Sequence, residues 1–143
     1  MRKREILRIL DANINRVREG LRVCEDILRF LSNDKNLTFS FKRLRHQVNK
    51  ILSEEPLFSK GKLLSYRNAK YDVGRNLTIK NDKKDILDIF LANIQRVEEA
   101  LRVLEEFSKL FNSVTEEKFR KLRFRTYHWE KRAFKVIEKY VHK

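Results

Sequence analysis

Two short phrases, Asn13-x-x-Arg16 and Asn93-x-x-Arg96, set an amide and a guanidinium one helical turn apart among apolar residues. An amide both donates and accepts, and a guanidinium is a planar fork of donors that grips phosphate or carboxylate bidentately. Arg45 and Arg123 stand at equivalent places in a second pair of segments, and Arg67 and Arg75 lie in the stretch between the pairs. Arginines that converge from several segments bind phosphate or close a carboxylate network. In YDVGR, Gly74 suits a turn that approaches a phosphate with positive φ, and equally suits a plain turn. His46, His128 and His142 are scattered. His46 is answered by Phe124 in the second copy, so it either serves one asymmetric site or is an exposed helical histidine. No glycine-rich nucleotide loop, nucleophile elbow or His/Cys cluster at metal spacing occurs.

The elements that must carry these residues are written twice. Glu5–Leu31 aligned with Asp85–Phe111 gives 13 identities in 27 positions, including NINRVREGLRVCED against NIQRVEEALRVLEE. After a two-residue shift, FKRLR at Phe41 answers FRKLR at Phe119. Apolar residues recur at three- and four-residue steps in all four segments: Ile6, Leu10, Val17, Leu21, Cys24, Leu28 and Leu31 in the first, Phe119, Leu122, Trp129, Ala133, Ile137 and Tyr140 in the last. Ser113 with Glu116 reads as a capping box for the last helix. The expected fold is all-α, four main helices in two duplicated hairpins forming a pseudo-two-fold bundle. Repeat one covers about 5–53, a connecting loop about 54–81, and repeat two about 82–141, all in one domain. The loop holds Leu63, Leu64, Tyr66, Tyr71 and Val73, so it is expected to be ordered and to fold over the bundle.

At about 100° per residue, Asn13 falls mid-arc on the apolar side and Arg16 about 60° away, with Gly20 between them in direction. Both side chains are expected to point inward or nearly so, as are Asn93 and Arg96, while Arg18, Arg22, Asp26 and Arg102 face water. A buried Asn also fixes helix register, and an Arg at the stripe's edge also pairs with a carboxylate such as Glu19. The net charge of +14 asks for an anionic neighbour: nucleic acid, acidic membrane or phosphorylated small molecules. No apolar run approaches the roughly 20 residues of a membrane span, and the charged start lacks a secretory signal, so a cytoplasmic protein is expected. The single cysteine, Cys24, falls on the apolar side and reads as core.

DANINRVREGLRVCEDILRF, FKRLRHQV, YRNAKYDVG and LANIQRVEEALRVLEEFSKL, in that order, resemble the short helical domain fused before some thiamin-phosphate synthases and also found alone. The resemblance implies hydroxymethylpyrimidine phosphate kinase activity, with ATP as co-substrate and Mg²⁺ as cofactor, in a stand-alone form that ends where the synthase barrel would begin. The family pattern opens the loop motif with Arg-Asp where this chain has Arg67-Asn68; if that Asp holds a metal in the family, Asp72 has to carry the charge alone here. On that reading Arg16, Arg45, His46 and Arg96 are the catalytic candidates. Asn13, Arg67, Gly74, Asn93 and Arg123 bind substrate or phosphate, and Asp72, Glu25 and Glu105 are the metal candidates. The two facing copies are expected to send an arginine each into one asymmetric site. Expected partners are a phosphorylated pyrimidine, ATP, a thiamin-phosphate synthase and a second copy in a homodimer, with no membrane. Two rivals remain: a non-catalytic partner of the synthase, and a nucleic-acid-binding module suggested by KFRKLRFRTYHWEKR. The second is disfavoured because those aromatics follow the core period.

Overall fold

In the computed structural model, residues 3–65, 67, 72–74 and 85–142 are described. Long apolar stripes produce four long helices: α1 (Lys3–Asp26), α2 (Lys35–Glu54), α4 (Ile86–Ser108) and α5 (Ser113–Val141), with a short α3 (Lys60–Ser65) between the halves. No strand occurs among the described residues, so the chain is all-α. Each stripe buries against two neighbours. α1 packs on α2 and α4, α4 on α1 and α5, and α2 on α5, which closes a four-helix ring. Fully buried Val17, Leu21, Phe41, Phe90, Leu101 and Phe119 lie at its centre, with Phe41 and Phe90 edge to face at 6.2 Å.

The repeat partners α1 and α4 lie against each other and run antiparallel: Cys24 Sγ reaches the Phe90 carbonyl while Gly20 meets Asn93 and Val97. Gly20 is required there. A Cβ on it would lie 2.5 Å from Val97 Cγ2 and 3.0 Å from the Asn93 carbonyl oxygen, so only glycine lets the backbones approach this closely.

Local details depart from the sequence reading in four places. The end of the first helix widens into a π-helical turn, Ile27–Leu31, which shifts the register so that Ile27 and Leu28 are buried and Leu31 is turned outward. Asn33, in the left-handed region at φ 57°, then reverses the chain into the Asp34 cap of α2. The cap of α5 is Asn112, whose side chain accepts from the Val114 and Thr115 amides; Ser113 is already helical. The reciprocal box belongs to α4, between Asp85 and Asp88. In the connection, Phe58 and Leu63 bury against the bundle, Phe58 edge to face with Phe111 and Phe119, whereas Leu64 and Val73 are exposed. Tyr66 and Tyr71 lie outside the described residues.

Candidate functional site

Asp11 and Arg67 form the centre of the site. Asp11 is 6% exposed on α1, and Arg67 reaches it from beyond α3 with Nε donating to Oδ2 at 2.8 Å and Nη2 to Oδ1 at 2.6 Å. These hydrogen bonds push the guanidinium further above its already high ordinary value. The pair fixes the plane of the fork and leaves Nη1 and one Nη2 hydrogen for a ligand. Asp11 and Arg67 divide two adjoining hollows. One, about 580 Å³, is lined by Arg8, Asn13, Arg16 and Asp72, with Glu5 and Val103 also on its wall. The other, about 510 Å³, sets Leu52, Phe58 and Leu63 beside Asn15, Arg18 and Glu55.

Asn13 is buried, but its amide donates to the Ile9 carbonyl at 2.8 Å and its Oδ1 accepts from Arg16 Nη1 at 3.2 Å. It therefore holds Arg16 in place and ties itself to the preceding turn. Arg16 is exposed, not inward, and its partner is Asn13, not Glu19. Asn93 repeats the back-bond, to Ile89 at 2.8 Å, but Arg96 makes no matching bond to it and neither residue lines the cleft. On antiparallel helices, two-fold mates away from the axis face opposite ends of the seam. The cleft thus takes its Asn-x-x-Arg from the first copy, where the sequence reading has both copies contribute.

The other arginines answer one another across the dyad. Glu25, 4% exposed, accepts from Arg45 Nη2 at 3.3 Å on both oxygens, with Arg22 at 3.8 Å. Glu105, 3% exposed, accepts from Arg123 Nε at 3.2 Å and Nη2 at 3.0 Å, with Arg102 at 3.4 Å. Both glutamates are committed to guanidinium groups in separate hairpins, while Asp72 accepts from the Gly74 amide at 2.9 Å. Asp72, Glu25 and Glu105 therefore do not converge, and no group of three or more His, Cys, Asp or Glu suited to a metal ion occurs among the described residues. Gly74 makes a tight side-chain turn with no positive φ. His46 is exposed on α2. Arg75 and Asn68 lie outside the described residues.

Cys24 is no nucleophile, since burial, and then the charges of Glu130 and Glu98, push its thiol far above the usual range. Phe124 and Tyr127 are exposed, edge to face at 6.0 Å, with Arg123 stacked 5.0 Å from the Phe124 ring centre; the core period holds for Phe119 but not for these two. Glu5, Arg8 and Asn15 of the cleft escaped the sequence reading. Arg8 stands two turns before Arg16 at four-residue steps, a legible signal, whereas Asn15 carries none. Glu98 was missed too. Burial, and then its hydrogen bond and repulsion with Glu130, push its carboxyl up to about 8.

The family model described as the ThiD2 family matches residues 8–132. The chain is similar to the thiamine-phosphate synthases of Nostoc punctiforme (39% identity; 87% of this chain, 34% of the relative) and Synechocystis sp. (39% identity; 87% and 35%). It is also similar to that of Rhodopirellula baltica (36% identity; 77% and 29%). It spans about a third of the length of these relatives. No solved structure matches it. No helix among the described residues is long and apolar enough to cross a membrane.

Proposed function

The chain belongs to the ThiD2 family, and from that membership we propose that it serves thiamin biosynthesis as a kinase that converts hydroxymethylpyrimidine phosphate to the diphosphate with Mg-ATP. The observation that carries the reading is the divided cleft. The half that holds Arg8, Arg16 and the Asp11-held Arg67 suits the acceptor's phosphate, and the half beside it, where Leu52, Phe58 and Leu63 stand next to Asn15, Ser53 and Glu55, suits a flat heterocycle with polar edges.

The reaction breaks the bond from the γ-phosphorus to its bridging oxygen, releasing ADP, and forms a bond from that phosphorus to an oxygen of the acceptor phosphate. The acceptor oxygen is already anionic, so no strong base is needed. What must be supplied is cancellation of anion–anion repulsion and in-line placement. Fixed arginines do both, and an arginine-lined pocket without its phosphate leaves charge unpaired, which favours the monophosphate over the free alcohol. Magnesium fits this site modestly. One oxygen of exposed Asp72 has no partner among the described residues, and such an ion takes most of its positions from water and nucleotide phosphates. When bound, it would absorb charge on the transferred group.

The test is ADP release coupled to ³¹P detection of a new diphosphate, with monophosphate, ATP and Mg²⁺ supplied to folded protein. Absence of turnover sinks the kinase reading. The similarity to thiamine-phosphate synthases favours one other reading, a non-catalytic partner that docks on a synthase. That reading expects co-purification with the synthase and no ADP release.

A further inference from the structure

A separate hollow lies between the end of α1 and the start of α2. It encloses about 770 Å³ and is lined by Arg22, Arg29, Lys35, Lys42 and Arg45 around a single carboxylate, Glu25. Phe39, 60% exposed, stands at its wall.

The second hairpin is an internal control for this basin. At the places equivalent to Arg22, Arg29, Lys42 and Arg45 it carries Arg102, Lys109, Arg120 and Arg123, and every one has a carboxylate. Arg102 pairs with Glu106 at 2.9 Å, Lys109 with Glu106 at 3.0 Å, Arg120 with Glu116 at 3.8 Å and Arg123 with Glu105 at 3.0 Å. In the first hairpin the positions of Glu116 and Glu117 are taken by Thr38 and Phe39, and Arg29, Lys35 and Lys42 have no carboxylate partner among the described residues. Arg22 and Arg45 keep carboxylates in the first hairpin, Arg22 with Asp26 at 3.7 Å and Arg45 with Glu25 at 3.3 Å, so the two forms of the scaffold differ at Arg29, Lys35 and Lys42. Crowding like charges is unfavourable unless an anion joins them. Arg45 Nε is in addition buried without an acceptor among the described residues.

We propose that this basin binds the triphosphate of a nucleoside triphosphate, with Phe39 against the base. Its volume lies within the usual range of small-ligand sites, about 300–1,000 Å³. Arg22 and Arg45 also line the next hollow, together with Arg18, and Arg18 in turn lines the hollow beside the Asp11–Arg67 pair. Separate hollows thus share arginines along α1 from the basin toward the acceptor cleft, with Arg18 bonded to Asn49 at 2.7 Å between them. Assigning the nucleotide as phosphoryl donor rests on the kinase reading above; the binding site itself does not.

The experiment is calorimetric titration of the full chain with ATP, inorganic tripolyphosphate and adenosine, checking fold by circular dichroism. Expected are binding of ATP and tripolyphosphate, and a loss of about tenfold or more for both in Lys35→Ala/Lys42→Ala. Phe39→Ala should weaken ATP and leave tripolyphosphate unchanged, and Lys109→Ala/Arg120→Ala should weaken neither. Wild-type protein that ignores tripolyphosphate, a Lys35/Lys42 variant that binds as wild type, or equal loss in the Lys109/Arg120 variant overturns the proposal. The two readings fail separately. Binding at these residues without turnover removes the kinase reading alone, and turnover with unchanged KM for ATP in the Lys35/Lys42 variant removes this site alone.

Discussion

Gly20 offers a test of the seam on which both halves of the molecule depend. Gly20→Ala adds a Cβ 2.5 Å from Val97 Cγ2, more than an ångström inside a normal carbon–carbon contact, and 3.0 Å from a backbone oxygen that cannot rotate away. Val97 is fully buried and, being β-branched, has one strongly preferred rotamer in a helix, so α1 and α4 must separate. Overpacking of this kind costs about 1–3 kcal/mol, and the better helix propensity of alanine returns about 1 kcal/mol, for a net loss of roughly 0–2 kcal/mol. Val97→Ala alone loses two buried methyl groups and leaves a void, about 2–3 kcal/mol. Together the changes should be less harmful than their sum, because the added methyl occupies space that Cγ2 has left. A favourable coupling of about 1–2 kcal/mol is expected from the double-mutant cycle. Urea unfolding of the four proteins measures it. Additivity within about 0.5 kcal/mol would refute the claim that Gly20 is dictated by Val97 rather than by local backbone.

Arg67→Met leaves Asp11 buried without its counter-charge. Breaking a buried pair costs about 3–5 kcal/mol, but the Arg67 side chain is 46% exposed and water screens it, so about 1–2 kcal/mol is expected. Adding Asp11→Asn should restore most of that loss in thermal unfolding, and failure to do so would mean that the pair orients nothing. Glu98 makes stability depend on pH. Its carboxyl, ordinarily near 4.5, holds its proton in the fold up to about 8, chiefly through burial and then through Glu130. The native state therefore binds a proton that the unfolded chain releases, and this contribution is fully present below about 4.5 and disappears as pH rises through about 8. Glu98→Gln should match wild type near about pH 5 and melt several degrees higher near about pH 9. Parallel melting profiles across that range would contradict the assignment.

Periodicity and self-similarity made the four helices, their pairing into hairpins and most of the core legible, because an apolar stripe reports burial wherever a helix is straight. Where the helix is not straight the stripe misleads: the π turn at Ile27–Leu31 moves Leu31 outward with no local signal of the extra residue. The candidate site was half legible for a related reason. That Asn13 is buried follows from its own helix, but that Asp11 holds Arg67, or that Glu25 takes Arg45, depends on register between segments 56 and 20 residues apart. Glutamates that looked available for a metal are instead the counter-charges that let two arginines sit at the rim of a core. The duplication itself bears on function once both copies are compared in space. The Glu–Arg pair recurs in each half and so belongs to the scaffold, which neither half could give up without stranding a buried charge. What differs is the surroundings: Arg29, Lys35 and Lys42 unneutralised in the first half, intrahelical ion pairs in the second, and a cleft built from Asn13 and Arg16 but not from Asn93 and Arg96. On the readings proposed above, ligand binding falls to the first half and its connection, with the second half as the wall against which that surface is held.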